Sequence, residues 1–267
     1  MKTPLLLLAA LSVASAVGCS QSVEDDAQDG ESGNDALKGG RPTTGHPEVG
    51  RVELDRIGML DNKPSDRQNF CAGTLITPDV VLTARECVWG ALVADGGFFY
   101  IDKDTNGDGK VDRTYKFTVK ATDNLDHRAN ARSERSRFEF LRLSAPVPAS
   151  IATPIPMRRT AISPNERVTA VGFGAATASG WGPKNTVSFA YHYGEDTWFK
   201  TSEEGPEILQ GYGDTAAPLI DAHGELAAIG YSQSEKSWFS GNHPDYYAET
   251  GHAYEQLAAL VRDLEKR

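Results

Sequence analysis

The stretch "DKDTNGDGKVD" at residues 102–112 carries oxygen-bearing side chains at alternate positions. Counted from Asp104, the donors fall at loop positions one, three, five and nine: Asp104, Asn106, Asp108 and Asp112. Gly109 stands at six, where a sharp turn is needed, and Lys110 at seven offers its main-chain carbonyl. Val111 is the apolar residue at eight. Hard oxygen donors spaced in this way suit Ca²⁺. Position twelve departs from the pattern. Tyr115 stands where a bidentate Glu belongs, and a count from Asp102 places Arg113 there instead. Calcium is therefore expected to bind weakly, in the range of about 10⁻⁴–10⁻³ M. The competing reading is an acidic surface turn, since Asp, Asn and Gly are ordinary turn residues.

Cysteines mark two other places. In "VVLTARECVWG" an apolar strand runs into Cys87, with a carboxylate, Glu86, directly before it, and Cys71 lies just upstream. An ionised Glu is a weak base at neutral pH unless burial raises its pKa. Cys19 closes the segment "MKTPLLLLAALSVASAVGC": one Lys, an apolar run too short to span a bilayer comfortably, then small residues. That pattern is a secretory signal rather than a transmembrane helix. Its end, Ala16-Val17-Gly18-Cys19, resembles the lipobox of bacterial lipoproteins, with Ala in place of the usual Leu. The resemblance implies that Cys19 is lipidated, which also accounts for the odd one among three Cys of an exported chain. A plain secreted protein with a stray Cys is the alternative.

The elements that must position these groups follow from the remaining pattern. The chain has 267 residues, 39% of them hydrophobic, enough for one large domain or two small lobes. A net charge of −10 argues against nucleic acid and against electrostatic docking to anionic lipid. Six acidic residues crowd the stretch from Ser20 to Asp35 without a Lys or Arg, so residues 19–36 read as a disordered tether after a signal at 1–18. Short β-rich runs follow: "FCAGTLI", "VVLTA", "GGFFYI", "YKFTVKA", "FEFLRL", "RVTAVGFG", "VSFAY", "APLID" and "ELAAIGYS". Many short strands with Gly and Pro between them predict an all-β sandwich or barrel. Leu257, Leu260, Val261 and Leu264 then recur at helical spacing, predicting a closing amphipathic helix over about residues 252–266.

Six stretches, in order, resemble signatures of the trypsin-like serine proteases. "LKGG" is similar to the family's I-V-G-G, and "CAGTLI" with "LTAREC" to C-G-G-T-L-I and L-T-A-A-H-C. "SRFEFLRLSAPV" resembles N-D-I-A-L-L-R-L-x-x-P-V, "VTAVGFG" resembles V-T-G-W-G, and "GDTAAPLID" resembles G-D-S-G-G-P-L, with "ELAAIGYS" as the strand after it. The resemblance runs from Leu37 to the terminal helix. It implies two six-stranded antiparallel barrels, the first over about residues 37–150 and the second over about 151–250, with any site between them. It also implies a Cys71–Cys87 disulfide, and it places the oxygen-rich loop where such proteins often carry a stabilising calcium.

Residue by residue, the resemblance puts Glu86 at the family's catalytic His, Arg137 at its orienting Asp and Thr215 at its nucleophilic Ser. A hydroxyl attack needs an imidazole to take and return the proton and a carboxylate to orient that imidazole. Losing the Ser or the His alone costs roughly 10⁶-fold in turnover. Thr serves as a nucleophile beside its own N-terminal amine, which an internal Thr lacks. Gly213 matches the oxyanion-hole glycine, while Ala216 and Ala217 replace two glycines after the nucleophile. Leu209 falls at the pocket floor, where no carboxylate would select Lys or Arg. Asp214 matches the Asp that binds a freed N-terminus. Ala36 precedes the matching Leu37, so an uncut state, with Asp214 held by another partner, is expected.

The expected function is binding of a peptide, protein or glycan ligand by an envelope-anchored pseudoprotease, with the membrane engaged through the lipid alone. Two alternatives stay open: an endopeptidase working through unconventional residues, with His127 or His192 as a stand-in base, and a calcium-stabilised structural protein of the envelope.

Overall fold

The computed structural model describes residues 37, 39–54, 69–88, 97–122, 137–174, 182–191, 212–231 and 246–266. Its strands are β1 (Arg41–Pro42), β2 (Val49–Leu54), β3 (Asn69–Thr77), β4 (Val80–Ala84), β5 (Gly97–Lys103), β6 (Arg113–Thr122) and β7 (Phe138–Leu143) in the first half. The second half has β8 (Arg167–Gly172), β9 (Asn185–Ala190), β10 (Pro218–Ile220), β11 (Leu226–Tyr231) and β12 (Tyr246–Glu249). One helical turn, α1 (Arg85–Val88), follows β4, and a long helix, α2 (Thr250–Lys266), closes the chain. No described helix is long and apolar enough to cross a membrane.

Six strands close into a barrel in the order β2-β3-β4-β7-β6-β5, and the other six form a sheet ordered β1-β9-β8-β10-β11-β12. All described pairings between these strands are antiparallel. Alternation explains β2, whose Val52 and Leu54 face the barrel core while Arg51 and Glu53 are only partly covered. β4 departs from alternation, with all five residues buried. The reason is cover on both faces: barrel side chains on one, β11 and α2 on the other. This is the seam where the two halves meet, and it leads directly into α1. β1 is a two-residue edge strand ending in Pro42, which suits an edge because proline has no ladder donor.

α2 begins two residues before the position read from periodicity. Its first residue, Thr250, donates its hydroxyl to the carbonyls of Leu226 and Ala227 on β11, at 2.8 and 3.2 Å. The carboxylate of Glu249, just ahead, accepts from the Tyr191 hydroxyl at 3.0 Å and the Ile162 amide at 2.8 Å. These bonds fix where the helix starts. Ala253, Leu257, Val261 and Leu264 form its buried stripe.

Candidate functional site

Cys71 on β3 and Cys87 on α1 are bonded, across a separation of 16 residues. A bridge closing a loop of that size stabilises a fold by about 3 kcal/mol on the chain-entropy account. Here it fastens the turn carrying Glu86 to the barrel wall. The β4–β7 register pairs Ala84 with Phe138, so Arg137, immediately before β7, enters beside the β4–α1 junction. Glu86 and Arg137 are both partly buried, neither fully.

Thr215 reaches the same place through the backbone. The Thr83 hydroxyl donates to the Ala72 carbonyl at 2.8 Å, and the Ala72 amide donates to the Thr215 carbonyl at 2.8 Å. Ala72 therefore ties the β4 end of the barrel to the Thr215 turn of the second half. Thr215 is 8% exposed, and its side chain makes no hydrogen bond among the described residues. Ala216 holds a left-handed conformation, φ 66°, where the family pattern has glycine. Its amide donates to Gly230 at 2.9 Å, which pins the turn against β11.

The oxyanion-hole position differs from expectation. Sequence matching places a glycine amide at Gly213, available to a developing negative charge. In the structure that amide donates to the Gly174 carbonyl at 2.8 Å. A side chain on Gly213 would collide with the Gly174 carbonyl oxygen, so only glycine permits this approach. A donor engaged by a carbonyl cannot steady an oxyanion without breaking that bond.

Asp214 is fully buried, and a buried carboxylate needs donors. Its Oδ1 accepts the Gly174 amide at 2.7 Å, and its Oδ2 accepts the Leu37 amide at 3.4 Å. Uncut chain was expected to leave Asp214 to a partner elsewhere. In the structure the main-chain amide of Leu37 reaches the carboxylate. Leu37 sits at φ 55° and is fully buried among Val168, Ala170, Leu219 and Tyr247. The left-handed conformation costs a non-glycine residue about 1–2 kcal/mol, and burying a leucine returns about 1.5–3 kcal/mol, so the seat holds. Gly172 makes the room: a Cβ there would strike the Asp214 carboxylate and press on the Leu37 methyl.

The oxygen-rich loop is folded on itself. Asp104 accepts amides from Gly107 at 2.6 Å, Gly109 at 2.7 Å and Asn106 at 3.2 Å. Asn106 Oδ1 accepts the Asp108 amide at 3.0 Å, and Asp108 Oδ1 accepts the Lys110 amide at 2.9 Å. Asp112 accepts the Thr105 hydroxyl at 2.7 Å. The Asp104 carboxyl lies below its ordinary value of 3.8: desolvation, the largest single influence, pushes upward, and the amides of Gly109, Gly107, Asp108 and Asn106 together outweigh it. Among the described residues no group of three or more His, Cys, Asp or Glu converges to hold a metal. The donor chemistry fits calcium, but the arrangement is a ladder of Asx turns rather than a cage. Cys19, Leu209, His127 and His192 lie outside the described residues.

Sequence reasoning passed over two residues that matter here. Gly174 appears in "VGFG" without any sign that its carbonyl would occupy the oxyanion donor. Lys184, between a Pro and an Asn, has no pattern around it, yet is 4% exposed and donates to the His46 carbonyl at 2.9 Å.

The Trypsin family model matches residues 53–253. The chain belongs to the trypsin family. Among solved structures it is similar to a scabies mite inactivated protease paralogue, S-D1, with 16% identity over 84% of this chain and 97% of that one, at a TM-score of 0.62. It is similar also to GrC, with 16% identity over 84% of this chain and 99% of that one, at a TM-score of 0.60. At this identity both likenesses speak to fold alone. No curated protein matches the chain.

Proposed function

We propose that this trypsin-family chain is catalytically silent and binds a peptide, protein or glycan ligand without cutting it, held at the bacterial envelope by a lipid on Cys19. The observation that carries the reading is the Gly213 amide donating to Gly174, which leaves the oxyanion position without its glycine donor. The side chains agree with it. Glu86, Arg137 and Thr215 supply no imidazole, no orienting carboxylate and no activated hydroxyl. The scabies mite neighbour, an inactivated protease paralogue, supports it further, since a trypsin fold can persist without turnover.

The experiment is a fluorophosphonate probe applied to the purified full chain, with peptide hydrolysis measured in parallel. Neither labelling nor hydrolysis is expected. Labelling at Thr215 would return the chain to the endopeptidases. Capture of a ligand from envelope extract by the same unlabelled protein then separates a binder from a purely structural component.

A further inference from the structure

We propose that the outer face of strands β5 and β6 binds an acidic polysaccharide, with a sugar ring against Phe98 and Tyr100 and its carboxylate on Lys116. Alternation along β5 turns Phe99 and Ile101 into the barrel core and leaves Phe98 and Tyr100, half-buried, on the outside. The register sets Tyr100 between Arg51 of β2 and Lys116 of β6, and Phe98 opposite Thr118 of β6. The two rings are neighbours, with centroids 6.1 Å apart. Lys116 Nζ stands 3.4 Å from the Phe98 centroid and 5.6 Å from that of Tyr100. The Arg51 guanidinium lies 5.6 Å from the Tyr100 centroid.

The chain has 37 acidic residues against 27 basic ones, so an exposed cation would ordinarily meet a carboxylate. Lys116 is exposed, yet among the described residues no carboxylate pairs with it. Asp102 on the same face is taken by Arg51 at 2.7 Å and by the Thr114 hydroxyl at 2.6 Å. Glu53 stands on β2, with β5 between it and β6, about two strand spacings or 10 Å away. A ring holds an ammonium in place without neutralising it, so Lys116 keeps its charge to offer to an anion. The form of the face selects among anions. An extended peptide joins a sheet through a free edge, and every strand of this closed barrel is paired on both sides. A carboxylate on a protein side chain would need the cation alone. A pyranose has an apolar C–H face and a polar rim, and so uses the aromatic pair, the exposed Thr118 hydroxyl and the cation together. The inference rests on the binding reading above and narrows its ligand to acidic glycans. Silence of the cleft is read by the fluorophosphonate probe, so failure here leaves that result standing.

Calorimetric titration of the purified full chain with polygalacturonate oligomers tests it, beside polyglutamate of matching charge and neutral dextran. Polygalacturonate is expected to bind, more weakly as salt is raised. Polyglutamate should bind roughly tenfold more weakly or worse, for want of a ring to stack, and dextran not at all. Lys116→Met removes the charge and keeps the stem against Phe98, while Phe98→Ser removes the platform. Each should weaken polygalacturonate binding by roughly tenfold or more, with the melting temperature of Lys116→Met unchanged. Absence of polygalacturonate binding to wild type would overturn the proposal. So would equal binding of polyglutamate, which would assign the face to an acidic protein, and so would undiminished binding in either variant. Should Phe98→Ser unfold the chain, Lys116→Met decides.

Discussion

The amide nitrogen of Gly213 stands 2.8 Å from the carbonyl oxygen of Gly174 and donates to it. Two segments of the second half thereby close on each other at the point where an oxyanion would form. Gly174 is bonded twice over: its carbonyl takes the Gly213 amide, and its own amide goes to Asp214. On the proposed reading, silence is a property of the backbone as well as of three side chains.

Restoring the side chains should therefore not restore turnover. The triple variant Glu86→His, Arg137→Asp, Thr215→Ser supplies base, orienter and nucleophile, but leaves the Gly213 amide engaged. One missing oxyanion donor costs roughly 10²–10³-fold in turnover. Peptide hydrolysis by the triple variant is expected to stay at least about 10²-fold below that of an intact site of this kind. Turnover at the level of an ordinary trypsin-like enzyme would mean the Gly213 bond opens without resistance.

Glu86 and Arg137 are expected to form an inverted pair, anion where the base belongs and cation where the carboxylate belongs. The Ala84–Phe138 register brings their backbones together, and an Arg fork suits a carboxylate. Both side chains are partly exposed, so the coupling is smaller than for a buried pair. A double-mutant cycle with Glu86→Gln and Arg137→Met should give a coupling of about 1 kcal/mol. Additivity within about 0.5 kcal/mol would mean the two residues do not interact.

How far the fold was legible depends on what each element writes into the sequence. β4 could be read because it is a continuous apolar run and β7 because its Phe and Leu residues dominate a short stretch, and "VVLTA" and "FEFLRL" coincide with their residue ranges. The disulfide was implied once those runs fell in family order. β12 has four residues and no run to detect, so it went unseen. Engagement of Gly213 was not legible, because it is a contact between two backbones about forty residues apart, made possible by the absence of side chains. Leu37 was placed in the right segment, yet its insertion depends on the space left by Gly172, which no local pattern reveals.

The Asp104 loop yields a prediction with a definite sign. Its carboxyl is depressed below 3.8 in the fold, so its contribution is fully present above that pH and is lost as pH falls through the folded value. The amide signals of Gly107 and Gly109 should move together in acid, with a midpoint below 3.8. Asp104→Ala should loosen the loop even in chelator, because its bonds to the loop amides need no ion. Calcium binding here stands as a proposal from donor chemistry. Millimolar calcium is expected to add a small rise in Tm that Asp104→Ala with Asp108→Ala removes. Identical melting of wild type in calcium and chelator would leave the loop as a turn.

Lys184 gives the same sign in an alkaline window. Burial pushes its ammonium down to about 8 from an ordinary 10.5, against the partial support of Asp102 and Glu48, while Arg51 adds to the depression. Between those two values the unfolded chain holds a proton that the folded chain has released. Stability from this group therefore rises with pH from about 8 to 10.5 and is flat below about 8, where both states are protonated. Over the whole window the gain is on the order of 3 kcal/mol. Lys184→Met removes the titrating ammonium, which lies 6.0 Å from the Phe173 ring centroid, and keeps most of the apolar stem. Urea midpoints measured from pH 7 to pH 10.5 should climb in wild type relative to Lys184→Met. Parallel curves would show that Lys184 is as well solvated in the fold as in the unfolded chain, and that its grip on the His46 carbonyl is made by an ordinary surface lysine.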